Sequence, residues 1–265
     1  LRQDHATMPP EKWKQALEQA GFGETAVYSD IPDNSASSQS VILSSGPELE
    51  HLDKKEARDS FNGERWVVFA PAHGTGQKVI NAMAAKGADV ISVHSGESFS
   101  YENSVISVDR RCEDQMIKAI DLIIQKEPAG IAYLWPIDCA ENSALSEELI
   151  VDGEKQFLMP LLYLTTKLNS GNLAVKPKMY MATSGAQCVR DSDPAVRVSA
   201  SGFRGVGRTV INEFPQFQST LVDFSSSIND NEITAFIDEM LAGEREDEIA
   251  YRDDVRYVNR LLRVS

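Results

Sequence analysis

The amino-acid sequence predicts an α/β fold, a doubly wound and mostly parallel sheet with helices on both faces. Three observations predict it. From Trp66 onward, short apolar runs alternate with segments whose apolar residues recur at helical spacing, the pattern of consecutive βα units. The runs are almost continuously apolar, as strands covered on both faces must be. At 265 residues, with 42% hydrophobic and 25% charged residues, the chain has an ordinary globular composition and enough length for a sizeable core.

Taken in order, Pro10 opens a helix with Trp13, Ala16, Leu17 and Ala20 at helical spacing, and Gly21 closes it. "ETAVYS" and "QSVILS" follow as strands, joined by the polar, turn-rich "DIPDNSASS". Residues 1–47 thus form a first unit. The charged stretch 48–64 has little apolar content and reads as a linker. Residues 65–265 carry the α/β pattern. Its strands are "WVVFA", "DVISV", "SVISV", "GIAYLW", "KMYMAT", "STLVDF", "EIAYR" and "VRYVNRLL". One intervening helix places Val79, Ile80, Met83 and Ala84 on a face, a second Met116, Ile117, Ile120 and Ile124, and a third Phe157, Leu161, Leu164 and Leu168. Two more are expected around Val206 to Phe214 and Ile233 to Leu241. No internal repeat is visible.

Charge and composition exclude several function classes. With 26 basic and 40 acidic residues, the net charge of −14 and the lack of a basic cluster argue against nucleic acid. No apolar run reaches the length of a membrane helix, and the first residues lack a secretory pattern, so a cytoplasmic location is expected. Cys112, Cys139 and Cys188 are odd in number and far apart, which suits reduced thiols. Of the four histidines, His73 and His94 could meet at neighbouring strand ends, but no Asp or Cys stands at ligand spacing and no metal site is expected.

The turn in "WVVFAPAHGTGQKVINAMAAKGADVISV" invites a dinucleotide reading. A Rossmann turn needs G-x-G-x-x-G for the tight bend, the pyrophosphate and the helix packing. Gly74 and Gly76 are present, but the third position is Val79, whose β-branched side chain faces the helix–sheet contact. The second strand ends in "HSGES", with His94 where a ribose-binding acid is expected. The turn is therefore degenerate, and no cofactor-binding residue is assigned.

The fifth strand, "KMYMATS", ends in Ser184, where a short-chain dehydrogenase holds its catalytic Ser. That chemistry requires a Tyr-x-x-x-Lys about 13 residues later, the Tyr as proton donor and the Lys lowering its pKa. Arg197 and Ser201 occupy those places. Arginine stays protonated at any useful pH, and a lone serine lacks a base to activate it. Tyr163 and Lys167, in "YLTTK", match the spacing but lie one element too early, in an amphipathic helix. In "SASGFRGVGRTV", Arg204 and Arg208 flank glycines that suit either an anion at a helix start or a close helix crossing; the crossing is the expected role.

The motifs "GIAYLWPID", "KMYMATSGAQCV", "FRGVGRTVINEFPQF", "LVDF" and "EDEIAYRDDVRYVNRLL" stand in order over residues 64 to 263. Together they resemble the structural, N-terminal subdomain of ketoreductase domains in type I modular polyketide synthases. The resemblance implies a truncated, short-chain dehydrogenase-like Rossmann fold that has lost its cofactor and catalytic residues. NADPH and the catalytic Ser, Tyr, Lys and Asn would belong to a second half that is expected after "RLLRVS" and is absent here. The N-terminal "PPEKWKQALEQAGF" and its two strands resemble the closing helix and strand pair of a carbon methyltransferase domain.

The expected function is a non-catalytic structural element, a pseudo-ketoreductase with no cofactor of its own. Its expected partners are a catalytic ketoreductase half, adjacent methyltransferase, enoylreductase or dehydratase domains, and an acyl carrier protein. The competing expectation is a free-standing NADPH-dependent reductase of β-ketoacyl thioesters using Ser184, Tyr163 and Lys167.

Overall fold

The computed structural model describes residues 9–29, 40–46, 57–139, 146–194, 196–242 and 246–260. The loop expected at 30–38, most of the expected linker and the last residues of the final expected strand lie outside the described residues. The chain divides into two compact units, Leu1–Lys54 and Lys55–Ser265.

In the first unit, α1 (Pro10–Gln19) begins with proline at its first position, where the missing N–H costs nothing. Gly21 then takes a positive φ of 86° and Phe22 N donates to Leu17 O, closing the helix. Strands β1 (Thr25–Ser29) and β2 (Ser40–Ser44) pair antiparallel, with Ala26 opposite Leu43 and Tyr28 opposite Val41. No residue of α1 is fully buried.

The second unit is built on a nine-stranded sheet. Its strands are β3 (Arg65–Phe69), β4 (Asp89–Ser95), β5 (Ser100–Glu102), β6 (Val105–Val108), β7 (Gly130–Tyr133), β8 (Lys178–Ser184), β9 (Thr220–Phe224), β10 (Glu248–Arg252) and β11 (Val255–Val258), in the order β11-β10-β9-β8-β7-β3-β4-β6-β5. The strands from β10 to β6 run parallel, and β5 and β11 add antiparallel edges. Helices α2 (Thr75–Ala85) and α7 (Asp230–Leu241) cover one face, through Val79, Met83, Phe236 and Met240 against Val68, Ala132 and Val222. On the other face lie α3 (Glu113–Gln125), α5 (Met159–Ser170) and α6 (Ser201–Glu213), packed on Phe69, Ile131, Tyr133 and Met181. Both faces are covered by helices, so apolar residues occupy successive strand positions. Among the described residues, no helix is long and apolar enough to cross a membrane.

Three features depart from the sequence reading. Strand β5 was not expected; Asn103 and Ser104 take positive φ between β5 and β6, and Asp253 and Asp254 do so between β10 and β11. Two consecutive left-handed residues match the twist of a tight hairpin, and Asn and Asp accept that conformation. The expected third helix begins earlier, with α4 (Glu147–Gly153), and runs through a π-helical turn, Glu154–Leu158, into α5. Pro160 has no N–H and would press on the preceding turn, so the wider turn accommodates it. Third, residues 57–64, read as linker, belong to the second unit. Phe61 is fully buried against Trp66, and Arg58 N donates to Leu241 O.

At the carboxyl end of the sheet, Arg252 on β10 forms a buried network. Its Nη2 bonds Asp223 Oδ2 on β9 at 2.6 Å and Gln187 O at 2.7 Å, and its Nε bonds Asp193 Oδ2 at 3.0 Å. Asp223 also accepts from Thr183 Oγ1 at 2.6 Å and from the amides of Ala186 and Gln187. The loop after β8 is thereby pinned to β9 and β10. Removing one partner strands a buried charge, so Asp223→Ala should lower the unfolding free energy by about 3–5 kcal/mol in urea denaturation. Burial would raise the Asp193 carboxyl, but hydrogen bonds from Val189 N, Arg190 and Arg252 outweigh it and hold the group at about 2. Because this lies below the ordinary value of about 3.9, the carboxylate stabilises the fold above about pH 4, and that contribution is lost as the pH falls toward 2. Asp193→Asn should flatten the acid limb of a stability-versus-pH profile across that window.

Candidate functional site

In a doubly wound sheet, ligands bind beyond the carboxyl ends of the strands where the chain reverses its direction of winding. Here the chain leaves β3 outward to β4 and β6 and returns through α3 to β7, so the switch lies between β3 and β7. A cavity of about 370 Å³ opens there, walled by Pro71 and Ala72 after β3, Ser95 on β4, Arg110 after β6, Trp135 after β7 and Phe157 of the π turn.

The turn from β3 into α2 has a structural reason for each glycine. Gly74 takes φ 65°, a conformation that strains any other residue. At Gly76 an added Cβ would stand 2.5 Å from Pro71 O and 2.9 Å from Ala70 Cβ, so this residue lets the helix start close against the strand end. Val79 is fully buried in the contact between α2 and the sheet. Pro71 offers no backbone N–H to a phosphate. His94 is turned back onto the turn itself, its Nδ1 donating to Ala70 O at 2.9 Å.

The opposite wall is aromatic. Trp135 is 1% exposed and packs edge-on against Phe69 at 5.0 Å and Tyr133 at 5.5 Å. Tyr133 stacks on Phe203 and donates to Phe157 O at 2.8 Å; burial drives its hydroxyl pKa well up. Arg110 lies between the rings of Trp135 and Phe157, its guanidinium carbon 5.2 and 5.1 Å from their centres. It donates to Gln156 Oε1 at 2.7 Å, Gln156 in turn donates to Asp152, and Asp152 is held bidentate by Arg111 at 2.8 and 2.9 Å. Arg110 Nε and Trp135 Nε1 are buried without partners among the described residues. Burial lowers the pKa of Arg110. Cys139 nearby is buried, and burial first of all pushes its thiol up to about 11, an unreactive state.

The residues considered for catalysis are spread over separate places. Ser184 Oγ donates to Ser225 O at 2.8 Å, and Arg197 reaches Ser184 Oγ at 3.4 Å and Ser226 O at 3.1 Å. Ser201 Oγ is bonded to Val198 O at the start of α6. Tyr163 and Lys167 project from α5 toward α3, where Tyr163 donates to Glu113 Oε2 at 3.2 Å and Lys167 pairs with Asp121 at 3.0 Å. Burial and the Glu113 carboxylate raise the Tyr163 pKa, the opposite of what a catalytic proton donor needs. Arg204 and Arg208 both bind Glu248, at 2.7 and 2.6 Å. An added Cβ at Gly207 would meet Leu221 at 2.5 Å, so α6 crosses β9 closely there. Cys112, Cys139 and Cys188 are free thiols. Among the described residues, no cluster of three His, Cys, Asp or Glu side chains could hold a metal.

Sequence reasoning did not find Arg110, Gln156 or Phe157 as cavity walls. The signal for Trp135 was present: "GIAYLWPID" puts a large aromatic residue at the carboxyl end of a strand, where the crevice of a doubly wound sheet opens. Deleting that side chain should leave a hole, so Trp135→Ala is expected to cost about 3–5 kcal/mol in urea denaturation. Arg110 has no carboxylate in ion-pair contact among the described residues, and Arg110→Met is expected to cost no more than about 1 kcal/mol in the same measurement.

No protein-family model matches the chain. It is 36% identical over 133 residues to a phenolphthiocerol/phthiocerol polyketide synthase of Mycobacterium tuberculosis, covering 50% of this chain and 6% of that protein. A solved C2-type ketoreductase from a modular polyketide synthase superposes with a TM-score of 0.57 at 20% identity, over 79% of this chain and 43% of the other. The ketoreductase-containing structure of a keto acid-selecting NRPS module gives 0.61 at 17% identity, over 76% and 17%. The chain is thus a homologue of mycobacterial polyketide synthases with the Rossmann-like fold of ketoreductases, and it spans under a tenth of the length of the relative it matches.

Proposed function

We propose that this chain is the structural, non-catalytic half of a polyketide synthase ketoreductase, a pseudo-ketoreductase that braces a catalytic half or neighbouring synthase domains. The crevice at the β3/β7 switch carries this reading. Its phosphate side is a turn built from Pro71, Gly76 and Val79, and its opposite wall is formed by Trp135, Phe157 and Arg110. The remaining cavity of about 370 Å³ falls at the small end of the range for ligand sites, roughly 300–1,000 Å³. Ser184, Tyr163 and Lys167, the groups a reductase would need together, each bind a different partner.

On this reading the chain takes no NADPH, and the coenzyme belongs to a separate half. Residues 1–47 would be the end of a preceding methyltransferase-like domain, and an acyl carrier protein would meet the assembly through other domains. Titrating NADPH against the chain should give no saturable change in coenzyme fluorescence. A β-ketoacyl thioester should be turned over by neither the parent chain nor Tyr163→Phe. Saturable micromolar binding, or turnover lost in Tyr163→Phe, would favour the free-standing reductase instead.

A further inference from the structure

Arg111 grips Asp152, and Arg65, Arg204, Arg252 and Arg256 each hold an Asp or Glu. Arg110 holds none among the described residues, although the chain has 40 acidic residues against 26 basic ones. Its Nη2 donates to the neutral Gln156 Oε1 at 2.7 Å, while its Nε and Nη1 have no acceptor among the described residues. The indole Nε1 of Trp135, in the same cavity wall, is also buried and unpaired. A buried donor left without an acceptor is costly, and a charged one more so.

The guanidinium is nevertheless held in place. The rings of Trp135 and Phe157 flank it, with centres 5.2 and 5.1 Å from its central carbon. A cation fixed in this way loses little freedom when it binds an anion. The cavity beside it sets the kind of anion. Its volume of about 370 Å³ is room for an organic molecule, since one water takes about 30 Å³. Pro71, Ala72 and Leu149 line it with apolar surface that suits an aliphatic chain. Two carboxylates share the lining, but Asp152 is offset by Arg111 and Asp138 is exposed to water, which screens it. A single negative charge is tolerated there better than the double charge of a phosphate.

We propose that the crevice between β3 and β7 binds a small aliphatic monocarboxylate, its carboxylate held by Arg110 and its chain lying against Pro71, Ala72 and Leu149. The donors that Arg110 leaves unused in this structure would then make charge-assisted hydrogen bonds. This site goes beyond the non-catalytic reading and does not depend on it.

Hexanoate titrated into the ¹⁵N-labelled chain tests the proposal through the indole signals of Trp13, Trp66 and Trp135. The Trp135 signal should shift saturably, with a Kd on the order of 1 mM or tighter, while the other two stay in place. No saturable shift at Trp135 would overturn the site. Hexanamide keeps the shape and loses the charge, so it should bind at least about tenfold more weakly, and so should inorganic phosphate. Either of them binding as tightly as hexanoate would overturn the carboxylate assignment. Arg110→Met should weaken hexanoate at least about tenfold and leave the thermal midpoint within about 4 °C. Ala72→Trp fills the cavity from an exposed position and leaves Arg110 in place, so it should abolish binding whether or not the Arg110 variant folds. Undiminished binding in either variant would overturn the proposal. NADPH that binds without displacing hexanoate would refute only the non-catalytic reading, whereas NADPH that displaces it would overturn both.

Discussion

A guanidinium held between two buried carboxylates organises the carboxyl end of this sheet. Arg252 makes five hydrogen bonds, to Asp193, Asp223 and three backbone carbonyls. Buried charge is tolerable only when every donor and acceptor is used, and here nearly all of them are. Through this contact the loop after β8 is bound to β9 and β10, and that loop leads from Ser184 to α6. α6 itself is set against the sheet where Gly207 meets Leu221 of β9.

The crevice at the β3/β7 switch shows the other side of the same packing. An open cofactor site needs backbone amides and small residues facing a cleft. Here Pro71 stands in the turn, Val79 in the helix contact and Trp135 at the end of β7. Arg204 and Arg208 share Glu248, whereas Arg110 lies between two rings with its Nε unpaired among the described residues. Glu248 is correspondingly held below the ordinary carboxylate range, first by its hydrogen bond from Arg208.

Much of the fold was legible in the sequence because burial on both faces of a parallel sheet leaves an unmistakable apolar run. The eight expected strands correspond to β3, β4, β6, β7, β8, β9, β10 and β11, the last filling only the start of its expected run. Strand β5 was not legible, since "SYE" is short, polar and at an edge where one face meets solvent. The π turn was hidden by a helical periodicity that continues on either side of it. Phe61 was lost inside a charged stretch, because a single aromatic residue can anchor a segment without giving it a pattern. In the candidate site, the burial of Val79 against the sheet and the place of Tyr163 on the helix before β8 could be read from spacing alone. The walls formed by Arg110, Gln156 and Phe157 could not, because they come from elements far apart in sequence.

The sequence by itself determined which segments are strands and helices, that the sheet is buried on both sides, and that the first turn lacks its third glycine. These follow from local periodicity and steric rules that act over a few residues. Only the tertiary structure decided what lies opposite that turn, which partners occupy Tyr163, Lys167, Arg204 and Arg208, and which helix faces remain uncovered. Those are outcomes of side chains meeting across the sheet, and contacts of that kind have no periodicity from which to be read.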